Sequence, residues 1–171
     1  MSCLITGGIN ASICRDNIPG LKRLFIGNFD EVTGYDVEAG VITGVTQSGS
    51  TLFYEYKVNL NSSSLTQTPT VSVENGVAYW TIVVNAIFGK MDASKRNLAK
   101  LMAQGNVIIV AEDNNGIFWG IGFSRPAYLS GGSLGTGTAG TDANAWTAEF
   151  TAMEQEPAYE VESSVALGLL A

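Results

Sequence analysis

From Val77 to Phe88 the chain alternates with a period of two. The even positions Ala78, Trp80, Ile82, Val84, Ala86 and Phe88 are all apolar. The odd positions mix Tyr79, Thr81 and Asn85 with Val83 and Ile87. Successive side chains of a strand point to opposite faces, so this run is a long strand with one face in a core. Its mixed second face suits a central strand, or one shared between a core and an interface. Thr51 to Leu60 repeats the pattern, with Leu52, Tyr54, Tyr56, Val58 and Leu60 set against Thr51, Phe53, Glu55, Lys57 and Asn59. The first set is expected in the core.

Other segments read the same way. Residues 22–29, 41–46 and 65–73 are expected strands, and Asn75-Gly76 marks a tight turn before Val77. Val107 to Ala111 is a β-branched run. In 117–123, Ile117, Trp119, Ile121 and Phe123 share one face; Phe118, Gly120 and Gly122 share the other. Glycine inside a strand marks a bulge or a close backbone approach. In 146–153, Trp146, Ala148 and Phe150 point inward and Thr147, Glu149 and Thr151 outward. Between these last two strands, about 127–145 reads as a long Gly/Thr/Ser loop. Loops of that length are functional or disordered more often than not. Gly131, Gly132, Gly135, Gly137 and Gly140 make it a candidate for ordering against a neighbouring subunit.

One helix stands out at about 92–104. Asp92 or Ser94 can cap it and Gly105 can end it. Leu98, Leu101 and Met102 form an apolar stripe beside Ala99, and Lys95, Arg96 and Lys100 face away. The expected fold is therefore α+β, mainly β: a sandwich or barrel with one flanking amphipathic helix. A single domain over 1–171 is expected, with an N-terminal arm at about 1–20 and a docked C-terminal tail at about 157–171.

Composition narrows the function classes. The chain has no histidine, the commonest acid/base side chain near neutral pH, and only 15% charged residues. Its net charge of -7 argues against gripping nucleic acid, which takes clustered Lys and Arg. It leaves open a surface that DNA slides past. Cys3 and Cys14 read as two reduced thiols rather than a disulfide framework. Met1 to Ser12 lacks the basic and apolar regions of a signal peptide, and no apolar run approaches the ~20 residues of a membrane span.

The glycine loop lacks a following Gly-Lys-Ser/Thr, and no basic residue occurs after Arg125, so it does not read as a phosphate cradle. The acidic pairs Asp30/Glu31, Glu112/Asp113 and Glu154/Glu156 fall at strand ends, where solvated charge is ordinary. Ser12 and Ser62 to Ser64 have no histidine base to activate them. No catalytic residue, cofactor or metal ligand set is expected. Trp80, Trp119 and Trp146 leave a second class open: a ligand- or carbohydrate-binding β-sandwich.

Three segments together resemble a known family. They are 92–114 (DASKRNLAKLMAQGNVIIVAEDN), 118–122 (FWGIG) before a Ser/Gly/Thr-rich stretch, and 145–158 (AWTAEFTAMEQEPA) before an apolar end. The pattern resembles tail tube proteins of tailed bacteriophages, especially those infecting Bacteroidetes hosts, and through them the tube proteins of contractile injection systems. That resemblance implies a structural virion protein assembled in the host cytoplasm. It implies hexameric rings that stack into a hollow tube, other tail proteins as neighbours, and DNA passing through an acidic lumen without specific binding. A tail terminator or completion protein of the same fold would look similar. Under this reading Thr51, Glu55, Lys57 and Asn59 are the candidate lumen-facing positions.

Overall fold

A computed structural model describes residues 7–9, 15–48, 53–59 and 61–170. Cys3, Cys14, Thr51, Leu52 and Leu60 lie outside them. The strands are β1 (Leu21–Asn28), β2 (Val32–Glu38), β3 (Val41–Gln47), β4 (Tyr54–Lys57), β5 (Ser64–Ser72), β6 (Val77–Gly89), β7 (Val107–Asp113), β8 (Phe118–Ile121), β9 (Tyr128–Gly135), β10 (Ala145–Glu154) and β11 (Tyr159–Val161). The helices are α1 (Ala93–Met102) and α2 (Ser163–Gly168). The strands form a seven-stranded sheet, β2-β3-β11-β8-β7-β1-β4, and a four-stranded sheet, β5-β6-β10-β9. The fold is mainly β and sandwich-like, as the alternation requires.

Two cores hold the layers together. Between the sheets, Leu24, Ile26, Ile109, Ala111 and Ile121 meet Ile82, Val84, Ala86, Trp146, Ala148 and Phe150. On the other face of the seven-stranded sheet, Phe25, Ile42, Phe53, Ile108, Val110, Phe118 and Val161 pack with Ala166 and Leu169 of the C-terminal segment. β7 sits between both cores. Its residues 107–112 are all buried, and for that reason Val107 to Ala111 form a continuous apolar run rather than an alternating one.

Four expectations change. First, 127–145 is not one long loop: β9 pairs with β10 from Tyr128↔Thr151 to Ala145↔Gly135, leaving 136–144 as the connection. Gly131, Gly132 and Gly135 are strand residues, while Gly137 and Gly140 lie in the connection. Gly132 has φ 132°, and a Cβ there would stand 2.1 Å from the Thr147 carbonyl oxygen. A strand containing such a residue does not look like one in sequence.

Second, the C-terminal segment is not a tail docked on a finished domain. β11 is inserted between β3 (parallel) and β8 (antiparallel), and α2 adds a second helix. Third, a strand, β2, forms at Val32–Glu38, a segment assigned to no element from sequence because it lacks clear alternation.

Fourth, the faces of the 51–60 segment are not a core set and a polar set. Phe53 is 2% exposed in the second core, whereas Tyr54 is 55% exposed. Tyr56 and Val58 do pack on the first core. β4 is an edge strand above two cores, so each of its faces has a core to serve and neither is uniformly apolar.

The helix has the expected bounds and a rotated stripe. Ala99 and Met102 are buried, Leu98 is half-buried and Leu101 is 64% exposed. Ala99 and Ala103 lie against β9 beside Leu129 and Trp146. The buried side of the helix is centred on Ala99 and Met102, which leaves Leu101 turned outward. The Asp92 carboxylate accepts the Lys95 N–H at 2.8 Å and caps the helix. Asp92→Ala is expected to destabilise the start of α1 and lower the urea midpoint.

Candidate functional site

The feature with the plainest external purpose is the outward face of the four-stranded sheet. All its pairings are antiparallel, and β5 and β9 are its open edges. The inward positions supply the first core, so the register fixes what points outward. From β5 come Thr66, Thr68 and Thr70; from β6, Tyr79, Thr81, Val83, Asn85 and Ile87; from β10, Thr147, Glu149, Thr151 and Met153. Glu149 is the single charged residue among the outward positions of the four strands. Its Oε1 accepts the Ser130 hydroxyl at 3.0 Å, and the Thr151 hydroxyl lies 2.7 Å from Ser130 Oγ. No described element covers this face. It can present hydroxyls and a negative charge, and it has no cation with which to hold phosphate.

The positions Glu55, Lys57 and Asn59 are elsewhere. Glu55 is on β4, where its Oε1 is 2.9 Å from Arg23 Nη1. Lys57 is exposed at the end of that strand. The Asn59 amide oxygen accepts the Gly89 N–H at 3.3 Å. Each has a polar environment, and they do not form a continuous wet wall. The face they share with Phe53 borders the second core. The signal that could have found the outward face was in the sequence, in the odd residues of β6 and β10. What was missing was the sheet that brings those strands together.

Two carboxylates are buried, and both have structural partners. Glu112 bridges Lys22, at 2.8 Å, and Arg23, whose guanidinium also lies 5.0 Å over the Phe25 ring. Burial pushes the Glu112 carboxyl up, and the two cations more than offset this, holding it below its ordinary value. Glu154 accepts the Gly122 N–H at 2.5 Å and the Ser124 hydroxyl at 2.9 Å. Its burial dominates and pushes the carboxyl up. Gly122 has φ 86°, and a Cβ there would stand 2.9 Å from the Ala127 nitrogen; Glu154 thus pins a turn only glycine can make. After that turn the parity of 117–123 breaks, and Phe123 enters the second core rather than the first. The Tyr159 hydroxyl donates to Glu156, and that bond, helped by burial, pushes the phenol up to about 12.

The pH dependence follows from these directions. A carboxyl lowered by folding stabilises above its unfolded value and loses that effect as pH falls through the lower, folded value. Glu112 therefore contributes to acid unfolding below its ordinary 4.5. Glu154 works oppositely: its contribution is complete below 4.5 and fades as pH rises through its raised value. In urea melts across pH, Glu112→Gln is expected to flatten the acid limb. An unchanged acid limb would contradict the ion-pair assignment.

The tryptophans do not gather. Trp146 is buried, with its ring 5.0 Å from that of Phe88. Trp119 is half-buried in an open cleft of about 440 Å³ with Gln67, Asp113 and Asn115. In that cleft Asp113 Oδ1 already accepts the Asn115 and Ile117 N–H groups at 2.8 and 2.9 Å. Trp80 is half-buried beyond the core, opposite Pro69 and Glu154. Among the described residues no group of three metal-ligating side chains comes together, and no described helix is long and apolar enough to cross a membrane.

No protein-family model matches the chain, and no curated protein matches it significantly.

Proposed function

We propose that the chain is a structural, non-enzymatic virion protein: the subunit of a phage tail tube that stacks in hexameric rings and conducts DNA. The observation that carries this reading is the four-stranded sheet, open at both edges and free of cations on its outward face. β5 and β9 run antiparallel to each other. Copies set side by side in one orientation therefore bring the β9 edge of one against the β5 edge of the next, with the antiparallel pattern unbroken. Closing such a ring removes every open edge of this sheet. Its lining would mix hydroxyls and apolar side chains such as Val83 and Ile87 with a repeated Glu149, and it offers phosphate no cation to bind. In this arrangement the outward face of β5-β6-β10-β9 forms the channel wall, rather than Glu55 and Lys57. The connection 136–144 lies at one end of the sheet and the β5–β6 turn at the other, where each can meet the adjacent ring.

Sedimentation velocity and negative-stain microscopy at micromolar concentration test the reading. Rings or tubes are expected. A protein that stays monomeric at every salt and pH would sink it. A carbohydrate-binding module is the second reading, on the strength of the Trp119 cleft. Glycan-dependent quenching of tryptophan fluorescence by a monomer would favour it.

A further inference from the structure

The charges of this chain are segregated. No Lys or Arg occurs between Arg23 and Lys57 or after Arg125. Those stretches supply β2, β3 and β11, which are neighbours in the seven-stranded sheet. The register places Glu38 and Glu160 on either side of Val41 in one row. Two strand spacings separate them, roughly 9–10 Å. Asp36 precedes this row on β2, and Glu162 follows it just past β11. None of the four has an ion-pair partner among the described residues.

Helix α1 is the converse. It carries Lys95, Arg96 and Lys100 and no acidic residue. Lys95 is held by Asp92 at 2.8 Å. Arg96 and Lys100 are exposed and have no carboxylate partner among the described residues. Lys100 also lines a groove with Ala99, Ala103, Leu129 and Leu134, on the β9 side of the helix. Leu134 in that groove is 45% exposed.

We propose that the α1 face of one copy docks against the β2–β3–β11 end of a second copy. Arg96 and Lys100 would meet Asp36 and Glu38. Like charges forbid either surface from pairing with itself, so the contact is heterologous and can propagate into a ring or a filament. The inference rests on the chain being a self-assembling subunit, and it names the surfaces.

The test uses two charge-reversed variants, Arg96→Glu/Lys100→Glu and Asp36→Lys/Glu38→Lys. Each alone is expected to raise the concentration for half-assembly about tenfold or more. An equimolar mixture is expected to assemble again, because each variant then meets its complement. Variants that assemble like the wild-type chain, or a mixture of folded variants that fails to recover, would overturn the proposal. A second readout needs no variant. Raising salt from about 0.1 M to about 1 M shortens the screening length from about 10 Å to about 3 Å and should dissociate wild-type assemblies; indifference to salt counts against the interface. Tubes insensitive to the swaps would overturn this interface and leave the tube reading standing. Oligomers that obey the swaps but never form tubes would do the reverse. A wild-type chain monomeric under every condition would overturn both.

Discussion

Phe150→Ala is expected to remove about 3–5 kcal/mol of stability, the range for truncating a buried aromatic side chain. Phe150 is 1% exposed at the centre of the core between the sheets. It pairs with Val84 on one side and Leu129 on the other, so its ring is where three strands of one sheet press on the other sheet. Neighbours fixed in two hydrogen-bonded ladders cannot collapse into the hole, which places the cost high in that range. Domains are stable by about 5–15 kcal/mol in all, so the variant forfeits a large share. For this chain length the melting temperature should fall by about 6–20 °C, at roughly 2–4 °C per kcal/mol. A loss below about 1 kcal/mol would mean that the two sheets do not share this core.

In the proposed tube, Thr81→Lys is expected to turn a channel without cations into one that retains DNA. Thr81 points outward from β6, between Thr68 of β5 and Met153 of β10. No cation stands on that face among the described residues, so the substitution supplies the first, and the proposed assembly would repeat it around every ring. Cost to the fold should stay within about 1 kcal/mol, the span of strand preferences. The effect on DNA should be far larger. Binding through 6–10 phosphate contacts weakens by about 10³–10⁵ between 50 and 200 mM salt, so retention should be strong at low salt and vanish at high salt. Filter retention of a DNA duplex threaded through purified tubes, measured against salt, reads this. If Thr81→Lys tubes pass DNA as freely as wild-type tubes at low salt, the outward sheet face is not the channel wall.

A deletion of 131–140 bears on the same assembly from another side. It would remove five of the eight residues of β9 and only the first part of the connection, since Gly131 to Gly135 pair with β10. It is therefore a test of the fold. A deletion confined to 137–141 leaves the ladder whole and tests the connection alone.

Local pattern carried much of this structure. Period-two alternation found β6 and β10 and the correct inward residues of both, because a half-buried strand writes its geometry directly into sequence. The capping carboxylate of Asp92 placed the start of α1 for a similarly local reason. The absence of Lys and Arg after Arg125 and between Arg23 and Lys57 was equally plain in the sequence, although its meaning was not.

Other elements depended on partners distant in the chain. β9 contains four glycines or serines in a row from Ser130 to Ser133, and it becomes a strand only because β10 offers a ladder that a glycine at φ 132° can join. β11 is three residues long and is a strand only in the slot between β3 and β8. Phe53 and Tyr54 exchange their expected environments because β4 edges a sheet with a core on each side. Leu101 faces out because the buried side of α1 is centred on Ala99 and Met102. The sequence by itself determined which segments must alternate, where one helix starts and how charge is distributed along the chain, since each depends on neighbours a few residues away. The tertiary structure alone decided which strands share a sheet, which face remains open and which charges gather at one end, since strand pairing joins residues that the chain separates by as much as a hundred positions or more.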